Sequence, residues 1–117
     1  MGTLDLKPYI DYEIRQASEL SAAGHDAEAF SHLERAHVLG QGITREHTRV
    51  HWLMFKSAVR RRDAREIWGQ LIRIIGAATK TPLGIYPTGN TGGANVWFFK
   101  PMPVPDDLKK ILDRAGK

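Results

Sequence analysis

The stretch from His32 to Trp52, HLERAHVLGQGITREHTRVHW, carries four of the five histidines of the chain. Within it, His47 and His51 are four residues apart, one helical turn with a rotation of about 40° between them, a spacing two ligands of one metal can use. Glu34 and His37 stand three apart, the arrangement by which helix bundles bring a carboxylate and an imidazole to one ion. Between the pairs lies Gly40-Gln41-Gly42, a turn that folds the second pair back against the first. Together His37, His47, His51 and Glu34 offer three nitrogens and one oxygen, a set suited to zinc, copper(II), nickel or iron(II). Copper or zinc is the expected ion, and Met54, one turn beyond His51, could add a thioether for copper(I). The chain has no cysteine, which removes thiolate sites and disulfides together. A metalloprotease reading fails because Thr48 follows His47, where that chemistry needs glutamate as general base.

Helices must position these residues. Tyr9, Ile10, Ile14, Ala17 and Leu20 form an apolar stripe of helical period, begun at Pro8 and ended at Gly24. Asp26 is expected to cap a second helix that turns Ala27, Phe30, Leu33 and Ala36 or His37 toward the interior, with Gly40 and Gly42 closing it. Thr44 is expected to cap a third helix through His47, His51, Met54 and Phe55 to about Arg61. Asp63 and Glu66 make a D-x-x-E capping pair for a fourth, ending near Gly76 to Ala78. Pro105-Asp106-Asp107 opens a last short helix through Leu112.

The four helices fall into two hairpins related by a shift of 37 residues, which aligns Asp26 with Asp63 and Phe30 with Ile67. Period and turn resemble a tetratricopeptide repeat, although two copies are fewer than such stacks usually need. The same shift sets His47 against Ile10, His51 against Ile14 and His37 against Ile74. Three histidines thus hold positions whose repeat-mates are isoleucines, which normally face a core. Buried imidazoles need acceptors or a metal, because an unpartnered buried polar group costs about 1–3 kcal/mol. His25 and His32 gain no such support and read as a surface turn and a helix flank.

Residues 81–105 hold five of the six prolines, so a long irregular strap is expected there. Its aromatics Tyr86, Trp97, Phe98 and Phe99 argue for packing across the bundle, with a short extended piece at 96–99. The run Pro87 to Asn95, PTGNTGGAN, could form an anion nest, but it lacks the lysine and the following helix of a phosphate loop. Its plain reading is a tight turn with asparagines bonding their own backbone. A third reading has the loop closing over the histidines, with Asn90 or Asn95 supporting them.

Composition narrows the rest. With 42% apolar and 26% charged residues the chain reads as globular rather than disordered. No apolar run approaches the ~20 residues of a membrane helix, and the start lacks a secretory pattern. A soluble, cytoplasmic protein is therefore expected. Its net charge of +4 is concentrated at Arg60, Arg61, Arg62, Arg65 and Arg73, and the run Arg60 to Arg62 could meet an anion or an acidic partner, or simply be a solvated helix end. No nucleic-acid motif accompanies them, and neither Ser31 nor Ser57 stands where a catalytic nucleophile would. Asp11, Glu13, Glu34 and Glu66 read equally as surface charges or ligands.

The segments HLERAHVLGQ, H-x-x-x-H-W, GNTGGANV and PMPVPDDL also resemble an uncharacterised bacterial family of about this length, across nearly the whole chain. That resemblance implies a bacterial single-domain protein and an association with heavy-metal handling; it carries no assigned catalytic residue. The expectation is one all-α domain: a helical bundle over 8–78 in two tetratricopeptide-like antiparallel hairpins, an irregular C-terminal strap over 79–105, and a short helix over 106–115. Its function is expected to be metal binding for sensing, buffering or delivery, rather than catalysis. The alternative is a protein-interaction module, with a protein partner or a second copy, in which the histidines are ordinary core residues.

Overall fold

The structure, a computed structural model, describes residues 4–84, 88–94 and 100–117. It is all-helical, with α1 Lys7–Ala22, α2 Asp26–Gly40, α3 Thr44–Arg61, α4 Ala64–Lys80 and α5 Asp106–Arg114. α1 packs along α2 and α3 along α4, while α2 packs on α3 and so joins the two hairpins. The apolar stripes dictate this order. Ile10, Leu33, Ala36, Leu39, Val50 and Met54 interlock between α1, α2 and α3, and each large one contributes about 1.5–3 kcal/mol by leaving water. Met54 is thereby a core residue, fully buried.

The ends of the helices depart from the expected caps in instructive ways. Asp26 is the first residue of α2, not its cap; its carboxylate receives hydrogen bonds from Arg60 and the Ser21 hydroxyl. Thr44 likewise lies inside α3, whose cap position is Ile43. Asp63 does cap α4, accepting from the Glu66 N–H at 3.1 Å, but the Glu66 side chain turns inward instead of completing the box. α4 also runs past Ala78 to Lys80 and continues as a single tighter turn, Thr81–Leu83. Gly76, near the expected end, stays within α4, and Pro82 is tolerated in the first turn of the short helix that follows.

The two hairpin turns differ by one residue. Ala23, Gly24 and His25 link α1 to α2, with Gly24 in the left-handed conformation at φ 84°. Only Arg62 and Asp63 link α3 to α4, and Arg62 takes the left-handed conformation at φ 56°. α5 is held by an ionic bridge: Arg35 of α2 reaches Glu13 of α1 with Nε 2.8 Å from Oε1, and pairs with Asp107 of α5 through Nη2. Glu13, one of the carboxylates weighed as a surface charge or ligand, is therefore a buried structural ion. His32 adds a contact to it at 3.2 Å, and His25 stands exposed at the turn, as expected. Tyr86, Asn95 and the extended piece expected at 96–99 lie outside the described residues.

Candidate metal centre

His37 lies in the last turn of α2 and His47 and His51 in the first turns of α3, so the tight turn between these helices brings the three rings together, with the His37 ring edge-on to the other two. All three are buried. The His37 Nε2 lies 3.0 Å from His47 Nε2 and 2.9 Å from His51 Nε2. One donor atom from each ring falls within 4.8 Å of the others, and no further carboxylate or histidine among the described residues joins the group.

The far nitrogens decide what those contacts are. His37 Nδ1 is 2.7 Å from the Asn90 carbonyl oxygen, which can only accept, so Nδ1 carries the proton. His51 Nδ1 is 2.6 Å from Gln70 Oε1. The amide orientation of Gln70 is fixed independently, since its Nε2 donates to Glu66 Oε1 and to the Gly92 carbonyl, both at 2.8 Å. Oε1 therefore faces His51 and accepts from it. In the neutral rings of His37 and His51 the Nε2 atoms are consequently both bare, and at 2.9 Å they oppose lone pair to lone pair. The third ring, His47, bonds the Thr81 hydroxyl through Nδ1 at 2.6 Å.

A proton between the rings is the poor remedy. Burial pushes the imidazoles far toward the neutral form: His47 down to about 4 and His51 to about 3, with His37 well below its ordinary range. For His37 and His51 the neighbouring imidazoles add to that effect. A metal cation is the better one. It would take the bare Nε2 lone pairs of His37 and His51 together, with Nε2 of His47 as a third donor when the Thr81 hydroxyl accepts from its Nδ1. Tetrahedral zinc with bonds of 2.0–2.1 Å would hold its nitrogens about 3.3 Å apart, so the separations of His37 Nε2 from its two neighbours, 3.0 and 2.9 Å, need to widen by only a few tenths of an ångström.

The glycine-rich loop closes the site. A Cβ built on Gly92 would lie 2.5 Å from His37 Cδ2 and 2.9 Å from its Nε2, and Gly92 is at φ +86°. Only glycine fits so close to the ring in this backbone conformation. Gly69 plays the same part on α4, where a Cβ would meet that of Ala94 at 2.5 Å. The Asn90 side chain turns back on the loop, accepting from the Gly92 N–H at 2.8 Å and donating to the Lys100 carbonyl. Within the described part of this loop, Asn90 bonds its own backbone at Gly92 and its carbonyl meets His37. Asn90 supports a histidine through its carbonyl rather than its amide.

Glu34 is not brought to the three nitrogens. Its carboxyl meets the Thr91 side chain, and burial first, then the nearby Glu66 charge, raise its pKa. Three residues before His37, it is turned about 60° away around α2. Arg60 and Arg61 are engaged elsewhere, Arg60 with Asp26 and Arg61 with Ser57 and over the Phe30 ring at 5.0 Å. Arg62 is the exposed left-handed residue of the turn.

Nothing in the sequence reading singles out Gln70, Thr81 or Gly92, and Glu66 reads there only as a capping partner, a surface charge or a ligand. Two of them carried a signal. The 37-residue shift that marks the histidines also sets Glu66 against buried Ala29 and Gln70 against buried Leu33. Polar residues in core register on α4 are the counterpart of the histidines on α2 and α3. Thr81 had no such mark, because the fourth helix was expected to end before it.

No helix among the described residues is long and apolar enough to cross a membrane. Comparison with curated proteins and with solved structures returns no match. A family model described as a protein of unknown function, DUF3703, matches residues 4–112, nearly the whole of the helical domain and its closing loop. The chain belongs to the DUF3703 family.

Proposed function

We propose that this protein binds a transition-metal ion through Nε2 of His37, His47 and His51. The observation that carries the reading is the 2.9 Å approach of two Nε2 atoms whose protons are held on the opposite nitrogens. Three neutral nitrogen donors suit zinc or copper, and each ring has the oxygen partner that metal-ligating histidines use to fix tautomer and direction. With Glu34 drawn to Thr91, the protein supplies three ligands and the fourth position is open to a small molecule. Sites of that kind exchange their fourth ligand, which fits delivery, sensing or a reaction at the metal better than purely structural storage. The test is metal content by elemental mass spectrometry, then zinc and copper titration of the apoprotein. Near-stoichiometric binding, abolished in His47→Ala/His51→Ala with helix content retained, is the expected result. Binding no tighter than about micromolar would overturn the reading.

A second reading concerns another surface. Trp68, Ile72 and Ile75 of α4, with Leu83 beyond its end, are 55–71% exposed and follow one helical stripe. That stripe supports a protein contact, either a second copy or another chain, alongside the metal site rather than instead of it. Sedimentation analysis of the wild type and Ile72→Glu tests self-association.

A further inference from the structure

The inward face of α4 carries one more unusual residue. Glu66, Gln70, Arg73, Ala77 and Thr81 fall within an arc of about 80° at 100° per residue. Two of them, Gln70 and Thr81, hold histidines. Arg73 stands between them, half-buried, and its Nη1 donates to the Gly69 carbonyl at 3.1 Å. In the 37-residue repeat its mate is Ala36, which is fully buried. The chain thus puts a guanidinium in core register on the helix face that carries the partners of His51 and His47. Its charge acts on both His37 and His51.

A cation next to a cation site is unfavourable unless something negative shares the space. A divalent metal adds two positive charges, its three imidazoles add none, and Arg73 adds a third. The nearby acids are Glu66, whose carboxylate is committed to Gln70 and the Ala94 N–H, and Glu34 beside Thr91. With both ionised, one positive charge remains in a region closed by the Gly92 loop. Resting on the metal reading above, we propose that the open fourth position takes a small monovalent oxyanion of the bicarbonate or carboxylate class, drawn there by Arg73. The ligand exchanged at the metal is then an anion rather than a neutral molecule or a cation.

Cobalt(II)-loaded protein in chloride-free buffer tests this, because the visible spectrum of the ion reports its fourth ligand. Cobalt affinity is measured first for wild type, Arg73→Gln and Arg73→Lys. Bicarbonate, formate and azide are then titrated. The expected result is a spectral shift at millimolar anion, weakened about tenfold or more in Arg73→Gln and largely retained in Arg73→Lys, where the charge is kept. Cobalt affinity does not fall in Arg73→Gln. Cobalt binding without any anion response, or equal anion affinity in wild type and Arg73→Gln, overturns this proposal and leaves the metal reading standing. Failure of cobalt to bind overturns this proposal, and the zinc and copper titrations decide the metal reading separately.

Discussion

Replacing Gly92 with alanine should disable the metal centre while leaving the helices in place. The new Cβ would lie 2.5 Å from His37 Cδ2, where carbon atoms need about 3.5–4.0 Å. Either the ring or the loop must therefore retreat by about 1 Å. If the ring moves, its Nε2 leaves the position shared with His47 and His51, and metal–ligand distances tolerate only about 0.2 Å. If the loop moves instead, the 2.7 Å bond from His37 Nδ1 to the Asn90 carbonyl stretches beyond hydrogen-bonding range, and the ring loses its orientation. The loop and the ring are tied, so neither escape spares the site. Loss of such an orienting partner lowers metal affinity about 10–100-fold. The left-handed conformation adds about 1–2 kcal/mol of backbone strain for alanine. The assay is competition for zinc against a chromophoric chelator, with circular dichroism to confirm the helices. Zinc affinity within about threefold of wild type in a folded Gly92→Ala protein would refute the reasoning.

Gln70→Leu should also weaken zinc binding by about 10–100-fold, because His51 Nδ1 loses its acceptor, whereas its repeat-mate Leu33 shows that leucine fits that register; chelator competition reads it. The apoprotein should be acid-labile. The buried histidines resist protonation, with His47 at about 4 and His51 at about 3, while unfolded histidine titrates near 6.5, so the unfolded chain binds more protons below that pH. Stability is then complete above about pH 6.5 and falls as pH drops toward the folded values, on the order of 3 kcal/mol for His47 alone. Thermal melts of the metal-free protein between pH 7 and pH 4 check this, and a flat melting temperature would contradict it. Arg62→Gly should stabilise the fold by about 0.5–1 kcal/mol, since the left-handed φ of 56° burdens arginine more than glycine's added chain entropy costs; urea unfolding measures it.

Much of this architecture is legible in the sequence, because helices announce themselves through period and punctuation. Gly24, Gly40 and Pro105 mark ends that the structure keeps within a residue or two. The inward placement of His37, His47 and His51 is legible through their isoleucine repeat-mates, a register argument that needs no coordinates. Less legible is anything that depends on a side chain crossing between elements. Glu34 stands at metal-binding spacing from His37, yet spacing says nothing of Thr91, which arrives from a loop 57 positions later. Thr81 and Gly92 join the site only because α4 runs a turn further than its composition suggests and the loop folds back over it. Gln70 was recoverable, since the same register that flags the histidines flags a glutamine facing a leucine's place.

The most direct test of the central claim is nitrogen NMR of ¹⁵N-histidine-labelled protein, which reads each ring nitrogen separately. Apo His37 and His51 should carry their protons on Nδ1, and one equivalent of zinc should shift the Nε2 signals of His37, His47 and His51 together. Protonated Nε2 atoms on His37 or His51, or three Nε2 signals unmoved by zinc, would contradict that claim.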